Sequence, residues 1–229
     1  MKTIGLIGGT GWVSTLEYYK LINKGINEKL GGQNSARCIL YSVNYSDINE
    51  CNLKDDHEGV YKIVLNAALI LKNANVDFLV LCANTLHQYV DRLIAEIGLP
   101  IVHIADATAL EIRKKNISII GLLGTRFTME MDFYTKRLTR AGIKSLVPEN
   151  DERHFIHNSI MNELLKEEYK PETKQKFLDI INDLEQKGAR GIVLGCTEIP
   201  LLIKQADTHL PVFNTLELHA KAIVDFAIQ

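Results

Sequence analysis

The chain is organised around the segment Gly191-Ile192-Val193-Leu194-Gly195-Cys196-Thr197-Glu198-Ile199-Pro200. Residues 191–194 form a compact apolar run, which is typical of a short buried strand. Pro200 favours the first turn of a helix, and Thr197 or Glu198 can cap that helix. Cys196 is therefore expected where a strand ends and a helix begins. Because the positive end of a helix dipole favours a thiolate, we expect a lowered pKa for this thiol.

A second copy of this pattern occurs earlier in the chain. Residues 78–85 (Phe-Leu-Val-Leu-Cys-Ala-Asn-Thr) also read as a strand, a small or polar turn and a helix, at an offset of 191 − 78 = 113 residues. Residues 4–8 and 120–124 form a second matching pair, at 120 − 4 = 116 residues. Two related spacings of about half the chain predict two similar α/β halves.

The repeat predicts the fold class and the domains. We expect two pseudo-symmetric Rossmann- or flavodoxin-like α/β domains with parallel sheets, because strands and helices alternate along the chain. The first domain would comprise residues 1–104 and 207–229, and the second residues 105–206. Ligands of such sheets bind at the carboxyl ends of the strands, so we expect the active site in a cleft between the domains.

Composition excludes several classes of function. A formal net charge of −2 over 229 residues provides no electrostatic reason to bind nucleic acid or an acidic membrane. No apolar window is long enough to span a bilayer, and the apolar N-terminal run is too short for a signal peptide. We therefore expect a cytoplasmic protein. The four cysteines, Cys38, Cys51, Cys82 and Cys196, have neither zinc-site spacing nor the density of a disulfide framework.

A glycine-rich loop, Gly8-Gly9-Thr10-Gly11, follows the first strand. It lacks the third glycine of a dinucleotide fingerprint, because Ser14 stands there, and Trp12 occupies the turn. We expect the loop to bind a small anion such as a carboxylate through Thr10 and backbone N–H groups. Ser14 is the predicted N-cap of the following helix, with Glu17 as its capping-box partner.

Further along the chain we predict a polar loop, a fourth strand and a capped helix. The loop covers residues 45–58, the strand residues 101–104, and Thr128 caps a helix that runs to Arg140. The tail, residues 211–229, reads as one more strand and helix that return to the first domain.

Four motifs resemble those of one enzyme family: Ile4-Gly5-Leu6-Ile7-Gly8-Gly9-Thr10, Ala83-Asn84-Thr85-Leu86-His87, Leu123-Gly124-Thr125-Arg126-Phe127-Thr128-Met129 and Gly195-Cys196-Thr197-Glu198-Ile199-Pro200. They are similar to the pyridoxal-phosphate-independent aspartate/glutamate racemases, and other stretches look closest to the broad-specificity amino-acid racemase branch. The resemblance covers essentially the whole chain. The second and fourth motifs are its most specific parts.

The resemblance implies a cofactor-independent amino-acid racemase that works as a homodimer on a small amino acid. In this family two cysteines flank the α-carbon: one thiolate removes the proton and the opposite thiol returns one. Charge that develops on the substrate would be offset by hydrogen-bond donors. The candidate donors are Asn84, Thr85, Thr125 and Thr197. Thr10 of the glycine-rich loop is a further candidate for binding the substrate.

The chain departs from the family at the first cysteine. The family motif usually reads Cys-Asn-Thr, whereas Ala83 precedes Asn84 here and Cys82 lies one residue earlier. One interpretation is that Cys82 reaches the substrate as the second base, which requires a bulge because neighbouring strand residues point to opposite faces. In another, Cys196 works with a non-cysteine partner such as Thr85, His87 or water. In the third, the reaction needs only one proton-transferring group.

Two alternative functions stay open, and the third interpretation suits the first of them. One is a one-cysteine decarboxylase, similar to the arylmalonate decarboxylases, or an isomerase of a small dicarboxylic acid. The other is a catalytically weak protein that binds a small molecule. For the substrate side chain, related racemases use an arginine after the second strand, which residues 45–56 lack. Lys166, helped by Asn52, is our candidate for this role.

Overall fold

The computed structural model describes residues 1–229 and divides them into two compact units. The first unit comprises Met1–His103 and His219–Gln229, and the second comprises Ile104–Leu218. Each unit has its own parallel sheet.

The sheet of the first unit has three strands in the order β2-β1-β3. Its strands are β1 (Ile4–Gly8), β2 (Cys38–Ser42) and β3 (Phe78–Leu81). Its helices are α1 (Trp12–Leu30), α2 (Tyr45–Leu53), α3 (His57–Asn73) and α4 (Val90–Ile97), with a 3-10 turn at Thr85–Tyr89. Every residue of β1 and β3 is buried, which is typical of a parallel sheet with helices on both faces.

The sheet of the second unit has four strands in the order β5-β4-β6-β7. Its strands are β4 (Ile119–Gly124), β5 (Lys144–Leu146), β6 (Ile192–Gly195) and β7 (Val212–Asn214). Its helices are α5 (Ile104–Lys114), α6 (Arg126–Glu130), α7 (Asp132–Arg140), α8 (Asn150–Asn162), α9 (Pro171–Gln186) and α10 (Ile199–Leu202), with 3-10 turns at Leu164–Lys166 and Gln205–Asp207. The last helix is α11 (Thr215–Ala227).

The two sheets share one topology. In each, the first strand of the unit lies between the second and the third, as in flavodoxin-like folds. The strands of the repeat take equivalent places: β1 and β4 are central, and β3 and β6 pair with them in parallel. The predicted α/β fold with parallel sheets is confirmed.

Several local predictions differ from the structure. The predicted loop 45–58 contains α2 and the start of α3, because the Asn44 side chain accepts a hydrogen bond from the Ser46 N–H and starts a helix. Residues 101–104 make only a single bridge, Ile101 to Leu79, before α5 begins. Helix α1 begins at Trp12 after Gly11, not after Ser14, whose hydroxyl donates back to the Gly11 carbonyl.

The domain boundary near the tail also differs. Residues 207–218 lie in the second unit, because β7 pairs with β6 there, and only His219–Gln229 belong to the first unit. Within the first unit the Phe226 ring packs edge-on against the Phe78 ring at 4.8 Å between centroids. No helix has both the length and the apolar character that crossing a bilayer requires.

Candidate active site

Cys196 follows the last residue of β6 and is the centre of a hydrogen-bonded group in the second unit. Its side chain is 8% exposed and belongs to an apolar core shared with Leu194 and Ile199. The Sγ atom donates a hydrogen bond to Glu198 Oε2 at 2.9 Å. The Thr197 hydroxyl donates to the same oxygen, also at 2.9 Å. One carboxylate oxygen therefore accepts hydrogen bonds from both neighbours.

This environment reverses the expected ionisation of Cys196. Burial raises the pKa of the thiol well above its ordinary value, and the adjacent Glu198 carboxylate raises it further. The predicted lowering is wrong for a structural reason: α10 spans only Ile199–Leu202, so it provides a weak dipole, whereas the carboxylate is in direct contact. The resting form of Cys196 is therefore the thiol.

Thr125 lies at the carboxyl end of β4, the strand that pairs with β6. Its hydroxyl is 3.3 Å from the hydroxyl of Thr128. Thr128 does not cap a helix as predicted: it is buried within α6, and its methyl group packs on the strand ends. A β-carbon added at Gly195 would lie 2.9 Å from that methyl group. This close packing places Thr125 beside the turn that carries Cys196.

Lys166 is exposed at the end of a 3-10 turn that packs against α10. Its ammonium group makes no ion pair within the second unit. Burial raises the pKa of the Tyr169 phenol, three residues later, and the Glu167 and Glu198 carboxylates raise it further. Lys166 therefore ends a turn that packs against α10, the helix that follows Cys196 and Thr197 in the chain.

In the first unit the glycine loop arranges Thr10 after β1. The Gly9 N–H donates to the Thr15 hydroxyl at 3.0 Å, so this N–H is not available to an anion as we expected. Gly9 has a φ of +92°, and an added β-carbon would lie 2.1 Å from the Val43 carbonyl oxygen. The loop therefore requires glycine there. The Thr10 hydroxyl oxygen is buried and has no hydrogen-bond partner, which leaves it available to a ligand.

Asn84 and Thr85 follow β3, at the same sheet edge as Thr10, because the carboxyl ends of parallel strands share an edge. Asn84 is 5% exposed, and its carbonyl accepts the N–H of His87. The His87 ring donates from Nε2 to the Leu81 carbonyl at 3.2 Å, which ties the turn to the strand. Asn52 is half-buried in α2, the helix that follows β2.

Cys82 lies on the opposite face of the sheet from its neighbours Leu81 and Ala83. Leu79, Leu81 and Ala83 pack in the core beneath α3 and α4, whereas Cys82, which alternates with them, faces the other side of the sheet. Its side chain is fully buried, and burial raises the pKa of its thiol far above the ordinary value. No bulge intervenes, because the Cys82 N–H continues the strand ladder to the Ile7 carbonyl at 2.9 Å.

Two residues near the site have no functional role predicted from the sequence. The sequence predicts Glu198 only as a possible helix cap, although a carboxylate two residues after a cysteine is a signal for a partner of the thiol. His157 accepts the Arg126 N–H at 3.4 Å, and burial lowers its pKa. No sequence pattern links it to Arg126, because they are 31 residues apart. No cluster of three or more His, Cys, Asp or Glu side chains is arranged to hold a metal ion.

Comparison with known proteins identifies the family. The Asp/Glu/hydantoin racemase family model matches residues 7–223. This chain belongs to that family. It is therefore an isomerase of the racemase type.

Individual members of the racemase family resemble the chain over its whole length. A crystal structure from Yersinia pestis, assigned as an Asp/Glu racemase, is 43% identical, with a TM-score of 0.94 and 100% of both chains covered. An aspartate racemase homologue from Pyrococcus horikoshii OT3 is 36% identical, with a TM-score of 0.87 and the same coverage. The broad specificity amino-acid racemase RacX of Bacillus subtilis (strain 168) is 23% identical over 227 residues, 96% of each chain.

Proposed function

We propose that this racemase acts on aspartate or glutamate, without a cofactor, and exchanges the α-proton through Cys196. The observation that carries this proposal is the hydrogen-bonded group of Cys196, Thr197 and Glu198 at the carboxyl end of β6, an interior strand of the second sheet. A thiol at such an edge can take and return a proton, and donors beside it can stabilise the charge that develops on the substrate. The broad specificity amino-acid racemase among the relatives supports an amino-acid substrate, and the aspartate racemase homologue supports aspartate.

The substrate groups have proposed partners in both units. Thr10, Asn84 and Thr85 in the first unit, and Thr125 and Thr197 in the second, would bind the α-carboxylate and the amino group. Lys166 would bind the distal carboxylate, with help from Asn52. The buried, unpartnered hydroxyl oxygen of Thr10 and the exposed ammonium of Lys166 support these roles.

Ala83 makes this a one-thiol site in our proposal. The repeat aligns Ala83 with Cys196, and a methyl group cannot carry a proton. The complete burial of Cys82 on the other sheet face argues against its use as the second base. The second proton would then reach the substrate from water or from Thr85, so exchange with retention should be faster than inversion.

Deuterium exchange tests the proposal. Dialysed protein is incubated in D2O with each enantiomer of aspartate and of glutamate, with no cofactor added. Loss of the α-proton signal in NMR and chiral chromatography separate exchange from inversion. We expect the α-proton of each substrate to exchange with solvent. The exchange rate should fall by about 10²–10⁴-fold in Cys196→Ser. In Ala83→Cys, a larger share of the exchanged product should be inverted.

Other outcomes would contradict this function. If Cys196→Ser exchanged the α-proton as fast as the unsubstituted protein, the thiol would not be the group that transfers the proton. Release of carbon dioxide from an aryl-malonate, without exchange of any amino acid, would favour a one-cysteine decarboxylase, which the single thiol also fits. Binding of the amino acid with no exchange would favour a small-molecule-binding protein.

We also propose a homodimer. Trp12, Leu16 and Tyr19 lie on one face of α1 and are 67%, 55% and 51% exposed, an apolar stripe that a partner subunit would cover. Light scattering should then give twice the chain mass of 25.8 kDa, and Trp12→Ser should lower it. A monomer at micromolar concentration would contradict this.

The compartment we propose is the cytoplasm. All four cysteines are free thiols, a state that reducing compartments maintain. Cell fractionation with an antibody against the native protein would test this location.

A further inference from the structure

Glu198 is a buried carboxylate in direct contact with the Cys196 thiol. Its side chain is 6% exposed, and the hydrogen bonds to Oε2 come from two neutral donors, the Cys196 thiol and the Thr197 hydroxyl. A buried carboxylate normally has a cationic partner, because an unpaired charge is costly to bury. No cation of the second unit forms an ion pair with Glu198, so the two neutral donors are its partners in this unit.

We propose that Glu198 is a positioning residue that aims the Cys196 thiol and takes up its proton when the thiolate forms. The inference deepens the proposed function, in which the Cys196 thiolate is the base. At 2.9 Å the S–H bond of Cys196 is directed at Oε2, so the proton can move across an existing hydrogen bond. The S–H bond breaks, an O–H bond forms on Glu198, and the single negative charge moves from oxygen to sulfur.

This transfer solves a difficulty of the buried thiol. A thiolate formed by loss of its proton to bulk water would add a second negative charge beside the Glu198 carboxylate. Internal transfer keeps the charge of the pair at one. The thiolate then takes the α-proton of the substrate and becomes a thiol again. When it returns a proton to the carbanion on the same face, Glu198 gives its proton back to sulfur and the pair is restored.

Among the charged groups around Cys196, Glu198 has the largest influence on the thiol, after the effect of burial itself. The core that contains Cys196 is apolar, with side chains from α8, α9 and β4 such as Ile160, Phe177 and Leu123. Tyr169 and Lys166 lie on the turns nearby, but neither is hydrogen-bonded to Cys196. A substitution that removes the charge on Glu198 and keeps the burial of the thiol should therefore shift the titration of Cys196.

The test measures the ionisation of Cys196 without substrate. Thiolate absorbance near 240 nm is recorded against pH, and the Cys196→Ser signal is subtracted to isolate this residue. In Glu198→Gln we expect the Cys196 midpoint to fall by about one pH unit, which means about tenfold more thiolate below the midpoint. Exchange in D2O should nevertheless fall at least about tenfold, because the proton acceptor is lost.

Two further variants make the result decisive. Glu168→Gln removes an exposed carboxylate of the same unit and should leave both midpoint and exchange rate unchanged. Thr197→Val removes the other donor to Oε2, so Glu198 should hold the thiol proton more strongly and the midpoint should rise. If Glu198→Gln does not fold, a raised Cys196 midpoint in Thr197→Val supports the proposal by itself.

An unchanged midpoint in Glu198→Gln, or in Thr197→Val where the first variant does not fold, would overturn the proposal. A shift of the same size in Glu168→Gln would also overturn it. Because the titration uses no substrate, a shifted midpoint with no exchange on any amino acid would reject the proposed function and keep the Cys196–Glu198 pair.

Discussion

At the scale of single residues, a neighbouring carboxylate has more effect on Cys196 than the helix that follows it. Burial and then contact with Glu198 raise the pKa of the thiol, whereas the four-residue α10 offers little opposing dipole. The contrast with Cys82 is equally local. Both cysteines are buried, but only Cys196 makes a hydrogen bond to an ionisable side chain at the sheet edge.

Cys82 provides a prediction at this scale. Replacing it with alanine should leave deuterium exchange unchanged and lower the free energy of unfolding by about 1 kcal/mol, because a small buried group is lost from a packed core. Urea unfolding and the D2O assay measure the two effects. The matched variant Cys51→Ala, at a half-buried position, should change both by less. A hundredfold loss of exchange in Cys82→Ala would show that its thiol carries the proton.

At the scale of elements, α11 is held to the first unit by a neutral histidine. His219 is fully buried; its Nε2 donates to the Val102 carbonyl at 2.8 Å, and its Nδ1 accepts the Tyr18 hydroxyl at 2.8 Å. These bonds select one neutral tautomer. Burial lowers the pKa of His219 to about 4, because a charged ring would lose its solvent and its acceptor nitrogen.

This histidine should make stability depend on pH. The unfolded chain binds a proton at His219 below about pH 6.5, but the folded chain does so only below about pH 4. Stability from this group is therefore complete above about 6.5 and falls as the pH drops toward 4, by about 2 kcal/mol at pH 5. His219→Gln should reduce the loss in urea unfolding between pH 7 and pH 5. An equal loss in this variant would assign the effect to other groups.

At the scale of the whole molecule, the two units differ in how many chain segments form them. The second unit has four strands from one continuous segment, whereas the first needs the terminal residues 219–229. Phe226 packs on Phe78 of β3, and the Lys2 ammonium lies 3.9 Å from the centre of the Phe226 ring. The core of the first unit therefore depends on residues far away in sequence.

Truncation after Leu218 should destabilise the first unit and leave the second unit stable. We expect the backbone amides of β1 and β3 to lose hydrogen-exchange protection, because His219 and Phe226 are removed from their core. Amides of β4 and β6 should keep theirs, since β7 and its pairing remain. Hydrogen exchange read by mass spectrometry measures both. Equal loss in all four strands would mean that the units unfold as one.

Much of the fold was predictable because it depends on local patterns. The buried apolar runs of β1, β3, β4 and β6, and the turns after them, appear in the sequence as a repeat. Weaker signals failed: the polar residues 45–58 form helices once Asn44 caps them, and residues 101–104 have too few strand partners to pair beyond Ile101. For the site, the repeat places Asn84 and Thr85 after β3, and Cys196 and Thr197 after β6, as the structure has them; their functional roles stay predictions.

The amino-acid sequence by itself determined the α/β class, the repeated strand-and-turn units and the residues that follow β1, β3, β4 and β6, because these depend on apolar runs, glycines and caps within a few positions. Only the tertiary structure decided which side of the sheet Cys82 faces, where β7 pairs, and that the Cys196 thiol is protonated. Burial and contact with Glu198 arise when side chains pack in three dimensions, and electrostatic effects depend on those distances rather than on sequence spacing.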